Sequence, residues 1–374
     1  MKPMHLCLLL MITGLMAGPS VIAAETIQNP ATPARPLGLK LVKTGQFPIN
    51  VPDKDLFVSG PCRFINGPDG SFYVTEAFTN QIHHYTASGS YLGSFAGKGQ
   101  GPGEISTMMN GCVPMPDGAV AVLEGHKRSV HLYDADGVYR NSLKTNQKPA
   151  YLAVRIYVDG LMLAKDTGHL KSEEKQTTRI MVLSDDFSES TLLFESVPRH
   201  TLLTIADARV HPFCADRDGN LLVAVGERGS YEILRINQSG EVGQRILRDY
   251  DPISRTEEEI QFRREGVKKM ADLFGFSGGN GLPEPDSVEE AIVCMDVDQQ
   301  GRIWVLARQS LDGEGKVHRW FDVYAPDGRL IDALEEVGAD FAFHDGKMHV
   351  LNRDKEGDYV IQTYIIQEPQ GGTQ

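Results

Sequence analysis

No CxxC pair and no HExxH motif occur in this chain, and its five cysteines are scattered. These absences remove common frames for structural zinc, dithiol redox chemistry and zinc peptidase activity. Basic residues are also scarce beside acidic ones. The chain has 37 Lys and Arg against 50 Asp and Glu, a formal net charge of −13. A surface of that sign repels phosphate backbones and anionic headgroups, so neither nucleic acid nor a membrane surface is an expected partner.

Long apolar runs are missing as well, except near the start. There LCLLLMITGLMAG follows Lys2 and runs into small residues ending at Ala24. The run is too short for an ordinary membrane helix and has the layout of a cleavable export signal. Residues 1–24 are read as that signal, and the mature chain as a soluble periplasmic or secreted protein with no membrane span. Losing Lys2 leaves 36 basic residues (37 less one) against 50 acidic, a net of about −14 by formal count.

What the chain does have is an internal repeat. Six tight turns, at Asp69-Gly70, Asp117-Gly118, Asp159-Gly160, Asp218-Gly219, Gln300-Gly301 and Asp345-Gly346, each precede a short apolar strand such as SFYV, AVAV or RIWV. A second series lies about two strands downstream, at Ser88-Gly89, Asp136-Gly137, Asp185-Asp186, Ser239-Gly240 and Asp327-Gly328. Two interleaved series mean four strands per repeat, and four-stranded antiparallel units arranged radially are the blades of a β-propeller. The expected fold is all-β, a six-bladed propeller over residues 36–367. Residues 25–35 are read as a linker and 368–374 as a tail. The sixth repeat has segments for three strands only, so PLGLKLVKTGQF, residues 36–47, is expected to supply the fourth and close the ring.

Residues 250–290 break the β pattern. Thr256 and Glu259 form a capping-box pair, and Ile260, Val267, Ala271 and Phe274 share one stripe, predicting a helix over about 256–274 between blades four and five. In a four-stranded blade, the turns between strands one and two and between strands three and four share a face; the longer connections share the other. The insertion therefore belongs to a long-loop face together with residues 97–104 and 165–179, and long loops on a rigid scaffold are where binding concentrates.

Near the end of each second strand a charged group recurs: Glu76, Glu124, Asp166, Glu227, Arg308 and Arg353. These are the candidate binding residues of a channel mouth that is acidic on one side and basic on the other. The plainer reading is that strand ends are charged because water reaches them. The histidines do not read as recurring at equivalent positions; His126 and His211 stand nearest to the strand ends and blade junctions. Gly97 to Glu104, GKGQGPGE, lacks the GxxxxGK[ST] order of a phosphate cradle and reads as a blade connector. The DxDG tetrads at Asp134 and Asp216 read as turns, since the twelfth-position Glu and flanking helices of a calcium loop are absent.

Cys62, Cys112, Cys214 and Cys294 each lie in the first strand of a repeat, eight, six, five and seven residues before the turn glycine. Parity matches within each neighbouring pair, so bridges Cys62–Cys112 and Cys214–Cys294 are one reading and buried thiols the other.

Pro61 to Glu104 resembles an NHL repeat, and specifically the first blade of exported bacterial six-bladed propellers in which a GxGxGPGE segment joins blades; Val210 to Glu241 is similar to the same repeat. The resemblance implies a non-catalytic exported protein that engages a protein or glycan with its long-loop face and needs no cofactor. Similar propellers also include metal-dependent lactonases and lyases. On that alternative Glu76, Glu124 and Asp166 would serve a divalent metal, with Arg308 or Arg353 holding an anionic substrate.

Overall fold

A computed structural model describes residues 24–49, 51, 62–76, 79–106, 111–124, 127, 129–144, 151–156, 161–167, 178–196, 212–225, 230–273, 287, 288, 291–311, 317–335, 338 and 340–369. Six four-stranded antiparallel blades form a ring. Blade one comprises β3 (Cys62–Asn66), β4 (Phe72–Glu76), β5 (Gln81–Tyr85) and β6 (Tyr91–Ala96). Blade two comprises β7 (Gly111–Pro114), β8 (Val120–Glu124), β9 (Ser129–Tyr133) and β10 (Tyr139–Lys144). Blade three runs through β11 (Tyr151–Ile156), β12 (Met162–Thr167), β13 (Thr178–Leu183) and β14 (Ser190–Ser196), and blade four through β15 (Phe213–Ala215), β16 (Leu221–Ala224), β17 (Glu232–Ile236) and β18 (Val242–Arg248). Blade five holds β19 (Ile292–Val297), β20 (Ile303–Leu311), β21 (Val317–Tyr324) and β22 (Leu330–Glu335). Blade six holds β23 (Asp340–His344), β24 (Lys347–Arg353) and β25 (Tyr359–Gln367), with β2 (Lys40–Pro48) as its outer strand.

The expected closure is thus present. β2 pairs antiparallel with β25 from Lys40 opposite Gln367 to Pro48 opposite Val360, so the two ends of the ring meet in one sheet. The turns obey the local chemistry. At Asp345-Gly346 both central residues have positive φ, 46° and 69°, the mirror-image turn whose twist suits a two-residue hairpin.

Residues 25–35 depart from the expected linker. β1 (Glu25–Asn29) adds a fifth strand to blade four, parallel to β18. Asn29 is buried and spans two blades: its Nδ2 donates to the carbonyls of Leu247 and Gly328 at 3.0 Å, and its Oδ1 accepts from Leu330 N at 2.7 Å. Leu37 N then donates to Ile331 O, and Leu39 N to Asp332. A single polar residue sets the path, because its amide satisfies backbone groups that β-pairing leaves over.

The core is six separate seams rather than one centre. Val120 and Val122 pack with Tyr73 and Ile82 of blade one, while Ala121 and Leu123 pack with Met162 and Ala164 of blade three. Period-2 alternation explains why these second strands are apolar on both faces, each face lying against a neighbouring blade. The last seam joins Phe72 and Val74 of blade one to Leu351 and Ile361 of blade six, with Phe47 and Ile49 from the N-terminal side.

The seams also decide the cysteines. Cys112, Cys214 and Cys294 are thiols. Cys214 belongs to the seam between blades four and five, whereas Cys294 packs on the seam between five and six. Matched parity was the wrong criterion for a bridge: equivalent positions point the same way round a ring, so they land on successive seams. Burial pushes the Cys112 thiol up to about 12, which keeps it protonated and unreactive. The Cys62 side chain lies outside the described residues.

Candidate functional site

On the long-loop face the insertion is closed at its base and, among the described residues, carries one helix. Ser254 bridges Val288, and Arg255 N donates to Ser287 O at 2.8 Å. The helix α1 (Glu257–Leu273) starts where the sequence places it: Thr256 N donates to Glu259 Oε2 at 2.9 Å and Glu259 N to Thr256 Oγ1 at 3.2 Å, a reciprocal capping box. Glu257, Glu258 and Glu259 occupy its first turn, where the helix dipole favours negative charge. Ile260 is half-buried, and the side chains of Val267, Ala271 and Phe274 lie outside the described residues.

The connector from Gly97 to Glu104 is a built loop with no phosphate geometry. Gly97 N donates to Asn80 O and Ile105 N to Gly97 O, which seats Ile105 fully buried in the seam between blades one and two. Glu104 turns back to accept from Gly101 N at 2.7 Å.

Glu76 and Glu124 end β4 and β8, and both are buried. Glu124 is saturated from inside. Its Oε1 accepts from Ser106 N at 3.0 Å and Ser106 Oγ at 2.7 Å, and its Oε2 lies 3.1 Å from His131 Nε2 and accepts from Ser129 Oγ at 3.4 Å. Glu76 accepts from Thr79 Oγ1 at 2.7 Å and lies 3.7 Å from His83 Nε2.

Here the structure corrects the reading of the histidines, because His83 and His131 are equivalent. They oppose Val74 and Val122, each four residues past its turn glycine. Each continues outward in the same way. His83 Nδ1 lies 2.6 Å from Ser94 Oγ, which is 2.6 Å from the Tyr91 hydroxyl; His131 Nδ1 lies 2.9 Å from Ser142 Oγ, which is 2.7 Å from the Tyr139 hydroxyl. A Glu124–His131–Ser142–Tyr139 chain therefore crosses blade two from second strand to fourth, and blade one repeats it as His83–Ser94–Tyr91, with Glu76 standing 3.7 Å from His83 Nε2, outside hydrogen-bond reach. The third place in QIHHY and in SVHLY was the available signal.

In blade five the equivalent place, opposite Val305, is Asp322. It is fully buried in the seam with blade four, and Arg248 Nη1 lies 3.4 Å from its Oδ2. Burial pushes the Asp322 carboxyl up to about 6, against the opposing pull of Arg248 and of the nearby Tyr231 hydroxyl.

The other sequence candidates do not gather with these. Arg353 folds onto its own loop, donating to Gly357 O and the Tyr359 hydroxyl at 2.8 Å and stacking 4.1 Å over the Tyr359 ring. Beside it Asp354, Glu356 and Asp358 bring carboxylate oxygens within 4.8 Å of one another, and Asp354 Oδ1 accepts from Glu356 N and Asp358 N within the turn. Asp166 and Arg308 lie in β12 and β20 with side chains outside the described residues, and Glu227, His126 and His211 lie outside them altogether. The pentapeptide at Gly275 to Gly279, GFSGG, spells GxSxG, but it comes after a helix where a nucleophile elbow needs a strand before it and a helix after it. It too lies outside the described residues.

No protein-family model matches the sequence, and no curated protein matches it. Solved structures do match. A protein of Bacteroides fragilis described as exported aligns over 92% of this chain and 100% of its own, at 10% identity and a TM-score of 0.53. A member of the DUF4221 family from Bacteroides vulgatus aligns over 88% of this chain and 99% of its own, at 12% identity and a TM-score of 0.54. The chain shares the six-bladed propeller fold with both. At such identities the likeness extends to the fold alone, so the function of this propeller has to be argued from its own residues. Among the described residues, no helix of the propeller is long and apolar enough to cross a membrane.

Proposed function

We propose that this protein is an exported, non-catalytic binding propeller that engages a protein or glycan through its long-loop face. The observation that carries the reading is the insertion between blades four and five, a base-closed excursion whose helix is stabilised by its own capping box and, among its described side chains, leaves Glu257, Glu258, Gln261, Phe262, Glu265 and Lys268 exposed. A rigid ring holding such a helix outward is a mount for recognition. The saturation of Glu124 by Ser106, Ser129 and His131 supports the same reading, because a carboxylate engaged by internal donors has little capacity left for substrate. The NHL-like character of the first and fourth repeats and the apolar leader at residues 1–24 support an exported binding role, with no resident cofactor required.

The test is capture on tagged protein, residues 25–374, from the exported fraction of the native host, with bound metal measured on the same sample. A near-stoichiometric protein or glycan that is lost when residues 253–285 are replaced by a short Gly/Ser link supports the proposal. A near-stoichiometric divalent metal with no partner would overturn it in favour of the metal-dependent enzyme alternative.

A further inference from the structure

Phe262 is the most exposed large apolar side chain among the described residues, at 76% against 61% for Val138 and 56% for Leu92. Single exposed apolar residues are ordinary on protein surfaces, so the setting decides whether this one means anything. At about 100° per residue, Phe262 stands about 200° round α1 from half-buried Ile260 and so faces away from the side of the helix that touches protein. Its neighbours three and four places away are Glu258, Glu259, Glu265 and Gly266. Glu258 and Glu265 are exposed, and Glu259 is held in the capping box. The described charged neighbours of Phe262 on this face are therefore carboxylates; the side chain of Lys269, seven places on, lies outside the described residues. A phenylalanine contributes less to helix formation than alanine, leucine or glutamate would, and here most of its surface is left to water.

Resting on the reading of the long-loop face as a binding surface, we infer that α1 is a docking helix, with Phe262 as its apolar knob and Glu258 and Glu265 as its charged rim. The partner is a protein presenting an apolar pocket edged by lysine and arginine. Charge selects this occupant. A second copy of the chain carries the same net charge of −13, and an anionic lipid surface or a nucleic acid would be repelled by the same carboxylates. A helix laid in a groove and anchored by an aromatic residue is a recurrent mode of recognition, and buried aromatic anchors carry most of the energy of such contacts.

The experiment places a photo-crosslinking benzoylphenylalanine at position 262, and in a second sample at exposed Lys127, which lies between strands two and three of blade two on the same face. Each protein is irradiated in the exported fraction of the native host. The expected result is an adduct from position 262 to a protein at a site flanked by lysine or arginine. Its yield should fall about tenfold or more when Glu258→Lys and Glu265→Lys are combined, and fall likewise in about 0.5 M salt. Phe262→Ser, checked for an unchanged unfolding transition, should abolish competition by unlabelled protein. An adduct indifferent to charge reversal, or formed only with a second copy, a glycan or a lipid, overturns the inference. An adduct from position 127 alone overturns the docking helix and leaves the long-loop reading standing; no adduct from either position overturns both.

Discussion

Asp322 owes its chemistry to where the fold puts it. In the unfolded chain its carboxyl titrates near 3.8, and in the seam near 6. A carboxyl whose pKa rises on folding stabilises the folded state when protonated. The contribution is complete below 3.8 and is lost as pH rises through 6, and two units correspond to roughly 2–3 kcal/mol. Urea denaturation between those values should therefore show stability increasing as pH falls, and Asp322→Asn should flatten that dependence. Removing the partner with Arg248→Met leaves a buried carboxylate uncompensated at neutral pH, with an expected loss of about 3–5 kcal/mol in the same assay. A backbone position makes a second residue-scale prediction. Gly103 has φ +77°, and a Cβ there would sit 2.8 Å from Cβ of Tyr139. Gly103→Ala is expected to cost about 1–3 kcal/mol by thermal unfolding, since the strain cannot be relieved without moving blade two. At this scale the sequence was legible for glycine and turn aspartate, whose conformational demands are local. It was not legible for His83, His131 and Asp322, which share one place in the repeat and acquire partners only across strands or across a seam.

The elements that depend on local chemistry formed where expected. The capping box on α1 is one, and Thr256→Ala should remove about 1 kcal/mol from that helix alone. Amide exchange in residues 257–263 should accelerate while the blades keep their protection. β1 is the contrary case. ETIQN belongs to the segment read as a linker, and it becomes a strand because the edge of β18 is open and Asn29 is satisfied by Leu247, Gly328 and Leu330. Asn29→Ala leaves those backbone groups without a partner, and a loss of about 1–3 kcal/mol is expected in denaturant titrations.

At the scale of the whole molecule, the ring is held by six apolar seams and closed by the pairing of β2 with β25. A chain beginning at residue 36 retains β2, and should unfold in one cooperative transition at lower denaturant than a chain beginning at residue 25. A chain beginning at residue 49 lacks the closing strand and leaves the edge of β25 exposed; it is expected to lose cooperativity and to self-associate, as read by light scattering alongside circular dichroism. A closed ring would also hold α1 in a constant orientation towards a partner, which makes recognition on the long-loop face a property of the intact propeller.

Turn spacing, four strands per repeat, the six-fold repeat and the start of α1 were determined by the sequence alone, because each depends on residues within a few places of one another or on simple repetition, and ring closure followed from the strand that the last repeat lacks. The tertiary structure alone decided the direction each side chain faces around the ring. That direction separates Cys214 from Cys294, buries Glu124 beneath Ser106, sets Asp322 against Arg248 and recruits β1 to blade four. The physical reason is that alternation along a strand specifies two faces, but which neighbouring blade each face meets is settled only when the ring has closed.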